Sequence, residues 1–214
     1  MCNFAVSTGT GSRKRYTVCM EIEKFKRELR GESSYPVTDA ICDFILTAGR
    51  RVELKKNDIL IAYGQVDTSV YYILDGVLRG SVVNSQGVER TVGFGLCGTM
   101  IYSAQCSILG APSIYQFQAC TPVSLVRIGN EAFRRHIDED HEFCRWVMGT
   151  FALAICYKER GNEGLNNDAM AKYKWLMENR PEIIEVVTDK VLASYLQISD
   201  VHLSRIKNRL LRER

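Results

Sequence analysis

The stretch Lys190-Val-Leu-Ala-Ser-Tyr-Leu-Gln-Ile-Ser-Asp-Val-His-Leu-Ser-Arg-Ile-Lys-Asn-Arg209 decides how the C-terminal part of this chain folds. Thr188 and Asp189 stand before an apolar-periodic run, Lys190 to Leu196, and suit the cap of a helix because their oxygens accept from amides left free in its first turn. Gln197 to Ser199 is too short for anything but a sharp turn, and Ser199 then starts a second helix over Asp200 to Arg212. Ala193, Leu196, Ile198, Leu203 and Ile206 are the small and aliphatic positions that let two helices cross closely. Ser204, Arg205, Lys207 and Asn208 are left for other faces, which is the pattern of a helix-turn-helix. Upstream, a further helix over Asp168 to Asn179 stops at Arg180-Pro181.

A helix that reads DNA needs base-edge donors or acceptors in its first turns and phosphate partners on its flanks. The DNA-facing set expected here is Ser199, Asp200, His202, Ser204, Arg205, Lys207, Asn208 and Arg209. Arg205 suits guanine O6 and N7, whereas Lys207, Arg209 and Arg212 suit phosphates, with Ser194, Tyr195 and Ser204 as further phosphate donors. Charge supports this only locally. Lys and Arg total 28 against 25 for Asp and Glu over the whole chain, but Arg205, Lys207, Arg209, Arg212 and Arg214 face one acid, Glu213, at its end. Charge and spacing alone equally describe a solvated basic helix.

Working outward, Gly161 to Asn167 is a hinge, and Glu131 to Ile137 followed by His141 to Arg160 reads as one long helix. Phe143, Val147, Thr150, Ala154 and Tyr157 follow coiled-coil spacing and are expected at a homodimer interface. Cys144, Met148, Phe151 and Ile155 form a neighbouring stripe, left to pack on the domain before it. Between Arg51 and Ile128, short runs rich in Val, Ile, Tyr and Thr alternate with turn residues, among them an Asp75-Gly76 hairpin signal, and predict an antiparallel roll or barrel. Helices are expected over Glu21 to Leu29 and Pro36 to Ala48, and Met1 to Cys19 reads as a mobile tail, with Met20 an alternative start.

Eight cysteines without a C-x-x-C pair suit reduced core thiols, and a chain with no membrane-length apolar run and no signal-like start is expected in the cytoplasm, away from membranes. The histidines, His136, His141 and His202, all lie outside the predicted strands, so a cupin-type metalloenzyme lacks its ligands; no catalytic residue, metal or cofactor is expected.

The quoted stretch resembles the helix-turn-helix of the Crp/Fnr family of transcription regulators. Tyr71-Tyr-Ile-Leu-Asp-Gly-Val-Leu-Arg79 is similar to the strand pair of that family's cyclic-nucleotide-binding roll. The resemblance runs over nearly all of Met20 to Arg214. It implies an α+β fold in which an antiparallel β-roll of double-stranded β-helix type is joined by a long dimerisation helix to a C-terminal helix-turn-helix. The implied divisions are a tail over 1–19, a sensor over 20–137, a dimerisation helix and hinge over 138–165, and a DNA-binding domain over 166–214. The partners implied are duplex DNA with a pseudo-palindromic operator, a second copy of the chain, and RNA polymerase.

The family's recognition-helix serine and arginine fall on Ser204 and Arg205, but its base-reading glutamate falls on Val201. The ribose-binding Gly-Glu-(Leu/Phe) falls on Gly98-Thr99-Met100 and the phosphate-binding Arg-(Ser/Thr) near Pro112-Ser113, so neither charged group is present. Cyclic AMP binding in the usual mode is not expected, because a buried phosphate needs a paired cation. Gly98, Thr99, Met100, Pro112, Ser113 and Tyr115 remain the positions of a pocket for an unidentified small-molecule effector. A ligand-binding roll without DNA output is the alternative.

Overall fold

In the computed structural model, which describes residues 11–84, 86–162 and 168–212, the middle of the chain forms two four-stranded antiparallel sheets. One orders β1 (Arg50–Leu54), β8 (Val123–Ile128), β3 (Val70–Asp75) and β6 (Met100–Tyr102); the other orders β2 (Ile59–Ile61), β7 (Tyr115–Ala119), β4 (Leu78–Val83) and β5 (Glu89–Gly95). The Asp75-Gly76 turn is a corner between sheets and not the hairpin expected, since β3 pairs with β8 and β6 while β4 pairs with β5 and β7. Gly76 sits at φ +91°, and a Cβ there would come within 2.3 Å of the Pro122 carbonyl oxygen at the second corner, so only glycine lets the two corners touch. The true hairpin joins β4 to β5, where the Gly87 amide donates to Asn84 O at 3.0 Å.

Period-two alternation along β3 separates two cores. Tyr71 and Ile73 point into the roll with Ile61, Leu78, Ile101 and Leu125, whereas Val70, Tyr72 and Leu74 point out against helices. Those helices are α1 (Gly11–Gly31), α2 (Asp39–Ala48), α4 (Asn130–Glu139) and α5 (His141–Asn162), and they bury Phe25, Ile41, Ile45, Phe143 and Trp146 on the sheet. Each such side chain contributes about 1.5 to 3 kcal/mol of burial. α1 starts at Gly11, inside the segment expected as a tail. The expected single long helix is broken at Asp140, whose φ/ψ of −124°/107° is extended and whose carboxylate accepts from the Glu142 and Phe143 amides at 2.8 and 3.0 Å. Asp140 thereby caps α5.

The C-terminal part is α6 (Ala169–Asn179), α7 (Pro181–Val186), α8 (Asp189–Leu196) and α9 (Asp200–Arg212), packed on Leu176, Ile183, Leu192, Leu196, Leu203 and Ile206. Thr188 caps α8 by accepting from the Val191 amide, as its position suggests. The turn into α9 passes through Gln197 at φ +58°, a left-handed conformation that non-glycine residues adopt at a cost of about 1 to 2 kcal/mol. A short helix, α3 (Ala104–Leu109), capped by Ser103, lies between β6 and β7. Among the described residues no helix is long and apolar enough to cross a membrane.

Candidate nucleic-acid interface

α9 presents its outer face by the geometry of its inner one. Leu203, Ile206 and Leu210 are buried, and at about 100° per residue the ridge directly opposite them is Val201, Arg205, Asn208 and Arg212, all exposed. His202, Ser204 and Arg209 flank that ridge and are exposed as well. The expected set divides here. Ser199 works as the N-cap, its Oγ accepting from the His202 amide at 3.2 Å, and Asp200 follows in the first turn, where a carboxylate suits the positive end of the helix dipole. Lys207 reaches back to an ion pair with Asp189 at the start of α8. The outward side is thus carried by Arg205, Asn208, Arg209 and Arg212, with Val201 leading the ridge.

Ser194 and Tyr195, expected as phosphate donors, are engaged by the roll. Ser194 Oγ accepts from the Thr91 amide on β5 at 2.9 Å, and the Tyr195 ring lies 5.2 Å from the Phe94 ring. Burial pushes the Tyr195 phenol above its ordinary pKa. Arg90 donates to Gln197 Oε1 at 3.4 Å, and Phe94 and Leu96 pack against the core of the C-terminal helices. The open edge of the second sheet, β5, is therefore covered by α8, which removes an unpaired strand edge. Arg180, just before α7, adds an ion pair to Glu32 between α1 and α2. Nothing in the local sequence of Ser194 or Tyr195 signals this, since the partner residues are about a hundred positions away.

The six effector positions fall in two segments, one at the start of β6 and one at the start of β7. Gly98, at φ +86°, lies beneath α1, where a Cβ would meet the Leu29 backbone nitrogen at 2.8 Å. Thr99 Oγ1 accepts from the Leu96 amide at 3.0 Å, and Met100 Sδ accepts from the Tyr72 hydroxyl at 3.4 Å on the helix-facing side of the sheet. Ser113 is buried: its amide donates to Gln65 O and its hydroxyl to Tyr115 O, each at 2.9 Å, with Pro112 exposed beside it. The group around Ser113 includes Ser103, buried at the start of α3, and Cys106, whose thiol donates to Gln65 O at 3.6 Å.

The roll interior is mainly aliphatic. Its tyrosine, Tyr71, donates to Asp67 Oδ2 at 2.8 Å, and burial together with that carboxylate pushes the phenol to about 12. Among the described residues no group of His, Cys, Asp and Glu could hold a metal. His136 is stacked on Phe44 with ring centroids 3.6 Å apart, so it serves packing.

Of the dimer stripe expected on the long helix, the first two residues turn inward. Phe143 and Val147 are 0% and 3% exposed within one chain, so they have no area left for a partner. Thr150 donates to Trp146 O at 3.0 Å, Ala154 is exposed, and the Tyr157 side chain lies outside the described residues. Exposed apolar positions also line up at Met148, Ala152 and Ile155, at i, i+4 and i+7, while Cys144 and Phe151 of the second stripe are half-buried. Two adjacent stripes of similar hydropathy share the helix, and the aromatic cluster of Phe44, Phe133, Phe143 and Trp146 decides which one turns inward.

Residues 51–140 match the model of the cyclic nucleotide-binding domain family. Among curated proteins none matches the sequence. Among solved structures, FixK2 from Bradyrhizobium japonicum superposes with a TM-score of 0.65 at 16% identity, over 77% of this chain and 85% of that one. The global regulator CLP of Xanthomonas campestris, described as c-di-GMP responsive, gives 0.65 at 13% identity, over 82% and 93%. The catabolite activator protein of Thermus thermophilus gives 0.53 at 17%, over 83% and 85%. The fold is that of an antiparallel cyclic-nucleotide-binding β-roll followed by helices, as in these solved structures.

Proposed function

We propose that this chain is a sequence-specific, DNA-binding transcription regulator of the Crp/Fnr type, acting as a homodimer with a divergent sensor and no enzymatic activity. The observation that carries this is the outer ridge of α9, on which Arg205 stands exposed between Val201 and Asn208 on a helix that the rest of a helix-turn-helix holds rigidly. Such a helix fits the major groove, and a dimer places two of them about 34 Å apart on one face of the duplex. Arg205 reads guanine through O6 and N7, and Arg209 and Arg212 meet phosphates. The second copy docks through Met148, Ala152 and Ile155 of α5. Its place is the cytoplasm, with the DNA, and RNA polymerase is its further partner.

The sensor does not take cyclic AMP in the usual mode, because Pro112-Ser113 lacks the arginine that would pair a phosphate and Gly98-Thr99-Met100 lacks the carboxylate for a ribose. Signal passes to the reader by two routes: along α5, and directly through β5, where Thr91 and Phe94 hold α8. Selection of duplexes from a random library with the full chain tests the reading. A two-fold related sequence is expected to emerge, with Arg205→Ala weakening its binding by 1 to 3 kcal/mol per half-site, on the order of 5- to 150-fold. Retention of all sequences alike, lost equally with salt, overturns it.

A further inference from the structure

Val201 is 62% exposed in the first turn of α9, at the head of the ridge opposite the buried Leu203, Ile206 and Leu210. It is the apolar member of a ridge otherwise made of Arg205, Asn208 and Arg212, and it adds nothing to the domain core. Leu211, the other exposed aliphatic side chain of this helix, lies almost three turns away on a different face, at about 80° from the ridge. An isopropyl group at that place can neither donate nor accept a hydrogen bond. Against guanine, adenine or cytosine it would cover a polar base edge and leave it without water, a cost that no protein partner offsets. Thymine alone presents an apolar group, the C5 methyl, in the major groove.

Resting on the regulator reading above, we propose that Val201 is a specificity-determining residue that selects a thymine in each half-site by packing against its C5 methyl. Its position relative to Arg205 sets where that thymine lies. Four residues of helix span about 6 Å, and base pairs are stacked about 3.4 Å apart, so the thymine falls within about two base pairs of the guanine that Arg205 reads.

The test uses the full chain and the duplex enriched from a random library, with each thymine replaced in turn by uracil, which lacks only the methyl group. At one thymine per half-site the replacement weakens wild-type binding about fourfold, and about 15-fold when both half-sites carry it, the value of one buried methyl at each. With Val201→Ala the same replacement changes affinity by no more than about twofold. Val201→Glu, which supplies an acceptor for cytosine N4, moves the preference at that position from thymine to cytosine. Tolerance of uracil at every thymine, or an equal loss in wild type and Val201→Ala, overturns the assignment of Val201 while leaving DNA reading intact. Failure to enrich any sequence overturns both.

Discussion

Removing one hydroxyl at the seam between α8 and β5 should loosen the two. Thr91 is 2% exposed, and its amide donates to Ser194 Oγ at 2.9 Å across the seam. Ser194→Ala leaves that amide buried and unpaired while α8 stays on β5, at a cost of about 1 to 3 kcal/mol. The cost vanishes when α8 lifts away and water reaches the amide, so the docked arrangement loses that amount relative to the open one. The equilibrium therefore shifts by about 5- to 150-fold toward opening. The Phe94–Tyr195 ring contact, at 5.2 Å, is untouched and holds about 0.5 to 1.5 kcal/mol of its own, so the domains stay mostly docked. Native-state hydrogen exchange resolved at the Thr91 amide reads this directly, with exchange faster in Ser194→Ala by the factor given. Equal Thr91 protection in wild type and variant, with overall stability unchanged, would refute the reasoning.

Thr91 carries a second consequence, because its Oγ1 is buried without a hydrogen-bond partner among the described residues. Thr91→Val keeps the shape and removes the orphan hydroxyl, and is expected to raise unfolding free energy by about 1 kcal/mol in urea titration; a loss would show that the hydroxyl is satisfied. Asp140 is held below the ordinary aspartate value, first by the Phe143 amide and also by the Glu142 amide, against the opposing effect of burial. Since its folded pKa is depressed, its contribution is complete above the unfolded value of about 3.9 and is lost as pH falls through the folded one. Asp140→Ala therefore costs about 1 kcal/mol at neutral pH, and its gap from wild type closes in acid; a pH-independent gap contradicts the capping role. Met148→Glu with Ile155→Glu places charge on the open stripe of α5 and is expected to turn a sedimenting dimer into a monomer, whereas an unchanged dimer would move the interface elsewhere.

The parts of this architecture visible in sequence are those carried by local chemistry. Thr188 and Ser199 cap helices where their spacing from apolar runs says they should, and Arg180-Pro181 stops α6. Strands such as Val70–Asp75 and Val123–Ile128 show as β-rich runs between turn residues. What escaped depends on distant partners. Asp75-Gly76 has the same local signature whether it closes a hairpin or turns a corner, and only the pairing of β3 with β8 distinguishes the two. β6 has three residues and α3 has six, too short for periodicity, and α7 begins at the very proline that ended α6. The candidate site divides similarly. α9 is readable because an apolar stripe and a basic ridge alternate along a single helix, but the engagement of Ser194 by β5 and the inward turn of Phe143 are properties of packing.

On the function proposed, the exposed ridge of α9 reads base sequence. Equilibrium titration of the full chain with its selected duplex and with a scrambled duplex of the same length and composition, at physiological salt, tests it most directly. A specific reader binds the selected duplex at least about a thousandfold more tightly, and Arg205→Ala narrows that ratio. Equal affinities for the two duplexes, falling together as salt rises, would reduce α9 to a basic surface and contradict the account.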